Sequence, residues 1–328
     1  MEIKIGKHIL GPGHPTFIVA EMSGNHGGSL ERAIEIVRAA KKVGADAIKL
    51  QTYTADTITI KSDKEDFTIL SDSPWASHST LWDLYNKAYT PWEWHQAIFK
   101  EARQLDLEIF SSPFDTTAVD LLERVAQTCK PVIFSTGIAD LGDIELALDT
   151  LRKAGAKEII ILKCTTSYPA PAEESNLLTI RDISKRFNVL SGLSDHSLGT
   201  AAALATVVLG GSLIEKHFTL DNEEETVDSF FSSGEKEFAQ MVADIRFLEK
   251  ALGSVNYEIT PAAMPSMRGR SSLYVSANIK AGEIFNKDNI KAVRPSFGLH
   301  PKYYQEVIGR KAKCDLTIGD RVSWEVVE

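Results

Sequence analysis

The sequence predicts an α/β protein in which parallel strands and helices alternate around a barrel, joined to a small, mostly β C-terminal domain. Three observations carry that prediction. Short apolar runs rich in strand-forming residues recur at 17–23, 47–53, 108–114, 132–137, 159–165, 189–194 and 212–218. Between them lie amphipathic stretches at 30–43, 92–105, 143–154 and 235–252, with apolar residues at helical spacing. Near-continuous apolar strands separated by helices imply a parallel sheet buried on both faces. The third observation favours a TIM-type (β/α) barrel over an open doubly wound sheet. No GxGxxG follows the first strand, and polar residues crowd at the strand C-terminal ends, where such barrels build their active sites.

In chain order those ends carry Glu21, Ser23, Asn25 and His26; Lys49, Gln51 and Thr52; Ser111, Ser112 and Asp115; Ser135 and Thr136. They continue with Lys163, Thr165 and Thr166; Ser194, Asp195 and His196; and Glu215, Lys216 and His217. So many polar ends at one barrel mouth point to catalysis. The hydroxyls and lysines suit a phosphate or carboxylate, with Lys49 and Lys163 as candidate charge partners. His196 and His217 close consecutive strands, so their imidazoles could approach one divalent ion, with Glu21 as an oxygen ligand or a base. Imidazole, carboxylate and water suit Mn, Zn or Fe better than Ca. The bland alternative is a pair of neutral, hydrogen-bonded histidines.

The longest insertion, residues 54–91, follows the second strand and holds Trp75, His78, Trp82, Tyr85 and Tyr89. It is expected either to cover the strand ends or to pack its aromatics on one another. From 253 to 270 the periodicity stops and Pro261, Pro265 and Gly269 appear, which reads as a linker. Beyond it, short strands broken by AGE and IGD turns predict a mostly β unit over 271–328. Its loop RPSFGLHPKYY carries Arg294, Tyr303 and Tyr304, and on composition alone reads as a solvated turn.

Composition narrows the function. With 45 acidic against 36 basic residues the net charge is -9, which speaks against a general nucleic-acid binder but leaves small anionic substrates open. Cys129, Cys164 and Cys314 form no CxxC pair, so neither a disulfide framework nor a zinc knuckle is expected and a reducing, cytoplasmic setting is. The start MEIKIGKHIL has none of the features of a secretory signal, and no apolar run approaches a membrane span.

Taken together, the motifs FIVAEMSGNH, KLQTYTADT, YTPWEWH, SSPFD, STG, KCTTSYPAP, GLSDHS and EKHFTL, then NIKAGEIF and RPSFGLHPKYY, resemble the sialic acid synthase family over nearly the whole chain. EMSGNH, YTADT, YTPWEWH and RPSFGLHPKY are similar to its pseudaminic acid branch. The resemblance implies a barrel over 1–252, a linker over 253–270 and, over 271–328, a SAF domain like the type III antifreeze proteins. It implies a homodimer in which Arg294 reaches the partner's active site. It also implies condensation of phosphoenolpyruvate with the open-chain form of an acetamido sugar, with a divalent metal, Mn or else Mg or Co. His196 and His217 resemble the metal ligands, and Glu21 the carboxylate that handles protons or the attacking water. Lys49, Ser112, Ser135 and Ser194 resemble groups that hold phosphoenolpyruvate, and Tyr168 and Asp228 ones that touch the sugar. Gln51 and Thr166 join them as substrate-binding candidates.

One departure stands out. Such barrels have eight strands, and this chain offers seven. Between SSPFD and STG the family has a further strand ending in Tyr-Lys-Ile-x-Ser-x-Glu, whereas here AVDLLERVAQTCKP runs straight into the next strand, as if one strand-helix unit were missing near Glu123 to Val125. Three explanations remain: a real deletion, a barrel that borrows another segment, or loss of residues the natural protein has. The cost of unpaired backbone at a gap favours missing residues or a locally opened barrel.

Overall fold

The computed structural model describes residues 1–114, 118–221 and 225–328, the side chains of 118–122 excepted. Asp115 therefore lies outside the described residues. The chain divides into two compact units, Met1–Gly253 and Ser254–Glu328.

The first unit opens with a hairpin of β1 (Ile3–Ile5) and β2 (His8–Leu10). Ile5 pairs with His8 across a two-residue turn in which Gly6 takes φ +56°. Seven parallel strands follow: β3 (Phe17–Glu21), β4 (Ala47–Thr52), β5 (Glu108–Pro113), β6 (Val132–Ser135), β7 (Ile159–Cys164), β8 (Leu190–Asp195) and β9 (Leu213–His217). These are the seven strands the apolar runs predict.

The four helices read from the periodicity are α1 (Leu30–Lys42), α4 (His95–Gln104), α6 (Leu141–Lys153) and α9 (Glu235–Leu252). Ser29 caps α1 by accepting from the Arg32 amide, and Asp140 with Asp143 forms a capping box on α6. The described residues of the unit add five further α-helices: α2 (Ala55–Ile58), α3 (Leu81–Ala88), α5 (Ala118–Gln127), α7 (Thr179–Phe187) and α8 (Ala201–Val208).

The strand order is β5-β4-β3-β9-β8-β7-β6, with β5 and β6 at the two edges. Among the described residues no strand joins them, and the barrel stands open there, one of the alternatives the missing unit raised. The sheet nevertheless curls. Phe110 of β5 and Ile133 of β6, on opposite edges, pack against the same interior cluster of Phe17, Val19, Ala47, Ile160, Leu162 and Leu213. Ile3 and Leu10 of the hairpin join that cluster and plug its lower end.

Helices cover the outer face. Ile18, Ile48, Leu50 and Ile214 pack there with α1, α4 and α9, and Ile159 and Ile161 with α6 and α7. Gly192 of β8 faces the interior, where a Cβ would lie 2.1 Å from the Leu213 carbonyl oxygen and 2.9 Å from Leu162 Cδ2. Backbone cannot retreat from such a contact, so Gly192→Ala is expected to lower stability by about 2–3 kcal/mol in urea unfolding. A loss under about 0.5 kcal/mol would contradict this close approach.

The second unit carries β10 (Ser272–Val275) paired antiparallel with β11 (Ile290–Val293), and a short helix α10 (Tyr304–Val307). Its own core gathers Leu273, Val275, Ile279, Phe285, Val307 and Val322. Arg294 follows β11 and is exposed.

Candidate active site

Alternation along the strands sorts the crowd of polar strand ends into two sets. Parallel register pairs Glu21 with His217, Glu215 with Ser194, and Gln51 with Ser112, all on the interior face. Lys49 shares that face with Gln51, and Ser135 pairs with interior Leu162. Lys163, Asp195 and Lys216 point to the other face. Lys163 donates to the Cys164 carbonyl and Thr165 Oγ1, while Lys216 and Asp195 form a buried 2.8 Å ion pair. Thr52 and Ser111 likewise turn outward, Thr52 bonding His95 at 2.7 Å. Lys163 is thus not brought together with Lys49. The count of polar ends had merged two faces that the pleat separates.

On the interior face a chain of buried and largely buried groups runs across four strands, β4, β3, β9 and β8. Lys49 Nζ lies 2.8 Å from Glu21 Oε2 and 2.7 Å from Glu215 Oε1. Ser194 Oγ donates to the same Glu215 oxygen at 3.1 Å. Glu21 is fully buried, and Ser194 and Glu215 nearly so. One ammonium thus lies within ion-pair distance of two buried carboxylates. Glu215 is the member that sequence reasoning noted only as a strand end. Its signal was available in the period-two spacing from His217 and the parallel position to Ser194.

Glu21 Oε1 accepts the Ser23 amide at 2.8 Å, and Ser23 takes φ +47°, a left-handed conformation that costs a non-glycine residue about 1 kcal/mol or more. That turn aims Ser23 Oγ at Asp228 Oδ2, 2.6 Å away, and the Gly24 amide donates to the same oxygen at 3.0 Å. Burial pushes the Asp228 carboxyl above its ordinary value, with these two donors opposing.

The two histidines close β8 and β9 with ring centroids 5.2 Å apart. His196 Nδ1 is 3.0 Å from the Thr165 carbonyl oxygen, which can only accept, so that nitrogen carries the proton and Nε2 keeps its lone pair. His217 Nδ1 is buried with no hydrogen-bond partner. Burial lowers both imidazoles below their ordinary value, His217 strongly, so each is neutral. Tyr168 stacks 4.3 Å from His196, and Phe231 lies 4.6 Å from His217.

Residues 54–91 cover this floor, enclosing a cavity of about 670 Å³. Trp75 donates its indole N–H to the Val227 carbonyl and packs 5.5 Å from Tyr168. Trp82 instead stays within the segment, donating to Asp56. Gln51, Thr166, Tyr168, His217 and Asp228 line the cavity; Glu21, Lys49, Ser194, His196, Ser112 and Ser135 do not. The last two stand on the two edge strands that flank the opening in the sheet.

Desolvating this much polar chemistry would burden a protein with no use for it, so the class is that of a barrel enzyme working at its C-terminal rim on a small polar ligand. The chain belongs to the NeuB family, whose model matches residues 36–126 and 118–257, and a SAF domain matches 270–328. It is 44% identical to the pseudaminic acid synthase of Campylobacter jejuni, over 93% of this chain and 94% of that protein. It is 33% identical to the N,N'-diacetyllegionaminic acid synthase of the same species, over 90% of this chain and 96% of that protein. The crystal structure of the spore coat polysaccharide biosynthesis protein SpsE of Bacillus subtilis aligns with a TM-score of 0.66 at 30% identity, covering 100% of this chain and 99% of that one. The two family segments overlap at 118–126, within α5. That helix is thus matched by both segments.

Proposed function

We propose that the chain is a pseudaminic acid synthase, condensing phosphoenolpyruvate with 2,4-diacetamido-2,4,6-trideoxy-altrose and water to a nine-carbon 2-keto sugar acid and phosphate. The observation that carries the chemistry is the largely buried Lys49 ammonium held between the buried Glu21 and Glu215 beside two neutral imidazoles. The substrate rests on the higher identity to a pseudaminic than to a legionaminic acid synthase.

In this reading Lys49, with Ser112, Ser135 and Ser194 as hydroxyl donors, anchors the anionic groups of phosphoenolpyruvate. Carbon 3 of the enol bonds to the sugar aldehyde carbon as the carbonyl π bond breaks and its oxygen takes up a proton; water adds at carbon 2, and the bond from carbon 2 to the bridging oxygen then breaks, so phosphate departs with that oxygen and carbon 2 is left as the ketone. Glu21 orients that water and takes its proton at a carboxylate oxygen. Tyr168 and Asp228, with Gln51 and Thr166 at the rim, position the sugar, and residues 54–91 exclude bulk water.

His196 and His217 fit a divalent cation. Both are neutral, one keeps a free Nε2 and the other a buried nitrogen without a partner. Among the described residues no group of three or more His, Cys, Asp or Glu side chains could hold a metal, so water and substrate oxygens would complete its shell. Such an ion, Mn with Mg or Co as alternatives, would supply Lewis-acid polarisation of the aldehyde. Exposed Arg294 is assigned to the partner's site of a homodimer, which light scattering tests by mass. The cell compartment assigned is the cytoplasm, and the product is destined for surface glycans such as glycosylated flagellin.

The test is phosphate release from phosphoenolpyruvate with the altrose sugar, with and without Mn, against N-acetylmannosamine. Metal-dependent release with the altrose sugar alone supports the reading; release with N-acetylmannosamine instead would redirect it to a neuraminate synthase. A second reading, a non-catalytic relative that binds sugar, draws on the unpaired β5 and β6 edges beside Ser112 and Ser135. Inserting the strand-helix unit of the Campylobacter jejuni relative at Glu123 is expected to raise phosphate release by about 10²-fold or more, the effect of restoring one or more charged anchors. An insertion that folds but changes nothing would mean that the seven-stranded form is already complete.

A further inference from the structure

The cavity has two unlike halves. Its floor is polar, made of strand-end groups, while its roof is built from the 54–91 segment. On α3, Leu81, Leu84, Tyr85 and Ala88 recur at helical spacing, as a core-facing stripe would. Here that stripe lines the cavity, joined by Leu70, which is 70% exposed. A leucine that exposed on a cavity wall has no packing reason to be apolar. Among the described residues lining the cavity there is no Lys or Arg, and the charged residue contributed by the roof is Asp72.

Taking the synthase reading as given, the sugar can enter in one direction. Its aldehyde carbon must lie at His217, the candidate metal ligand that lines the floor, so carbons 5 and 6 extend toward α3. We propose that the α3 stripe, with Leu70, is the specificity wall of the enzyme: it selects 6-deoxy acetamido sugars by their methyl groups. It disfavours a hydroxyl at carbon 6, and it rejects a 6-phosphate, which would meet the Asp72 carboxylate with no cation from the lining to offset it.

Binding is the readout, because it reports on the wall whether or not the opened barrel turns over. Calorimetric titration should show the 6-deoxy altrose sugar binding about ten- to a hundredfold more tightly than its 6-hydroxy analogue, the range a hydrophobic pocket gives for one small substituent. The 6-phosphate should not bind. Leu81→Asn should reduce the preference to about threefold or less, and Leu81→Met should keep it. Leu81 is only half-buried, and a circular dichroism melt checks that both variants fold. Equal affinity of the wild-type chain for the 6-deoxy and 6-hydroxy sugars, or an unchanged preference in folded Leu81→Asn, overturns the wall. Binding of no sugar overturns the wall and the sugar-binding reading together. Discrimination without any phosphate release in any metal overturns the synthase reading alone.

Discussion

Lys49→Met is expected to lose phosphate release by about 10²- to 10³-fold, and to lose stability as well. The ammonium lies within 2.8 Å of Glu21 and Glu215, both buried. Removing it leaves two desolvated carboxylates facing each other, a change that costs about 3–5 kcal/mol when one partner of a buried ion pair is taken away. Glu215→Gln in the same background removes one of the stranded charges. The double variant should therefore recover part of the stability in urea unfolding while phosphate release stays lost, since no cation remains to hold phosphoenolpyruvate. A Lys49→Met chain that keeps its activity would remove Lys49 from the site, and a double variant no more stable than the single would show that the carboxylates are not coupled through it.

Stripping divalent metal with EDTA is expected to abolish phosphate release, by about 10²-fold or more, and Mn added back should restore it. The same treatment should move the unfolding midpoint little, because His196 and His217 are held without metal by the Thr165 carbonyl, Tyr168 and Phe231. His217→Ala should abolish the response to Mn. Full turnover in EDTA, confirmed by metal analysis, would assign the two imidazoles to sugar binding.

The hairpin of β1 and β2 shows one limit of the reading from sequence. Ile3, Ile5, His8 and Leu10 alternate around Gly6 and Lys7, a hairpin pattern, but three-residue strands are too short for periodicity to find them without the interior they plug. The unexpected helices α7 and α8 were missed for different reasons. α8 is apolar almost all round, with no face to detect, and α7 is a short nine-residue segment entered without a side-chain cap. The opening between β5 and β6 was legible, because a strand count needs only the order of apolar runs.

What the sequence determined by itself was the order of seven strands, the mostly β second unit, the missing unit, and the residue types at each strand end. Those follow from local patterns of two and 3.6 residues and from composition. Tertiary structure decided which strand ends share a face, separating Lys49 from Lys163, and it made Glu215 a partner of Lys49 from 166 residues away. It also turned the apolar stripe of α3 from an ordinary core face into a cavity wall. The reason is physical: a strand's pleat sends alternate side chains to opposite sides, and only the register between strands and the curl of the sheet say which side becomes the interior.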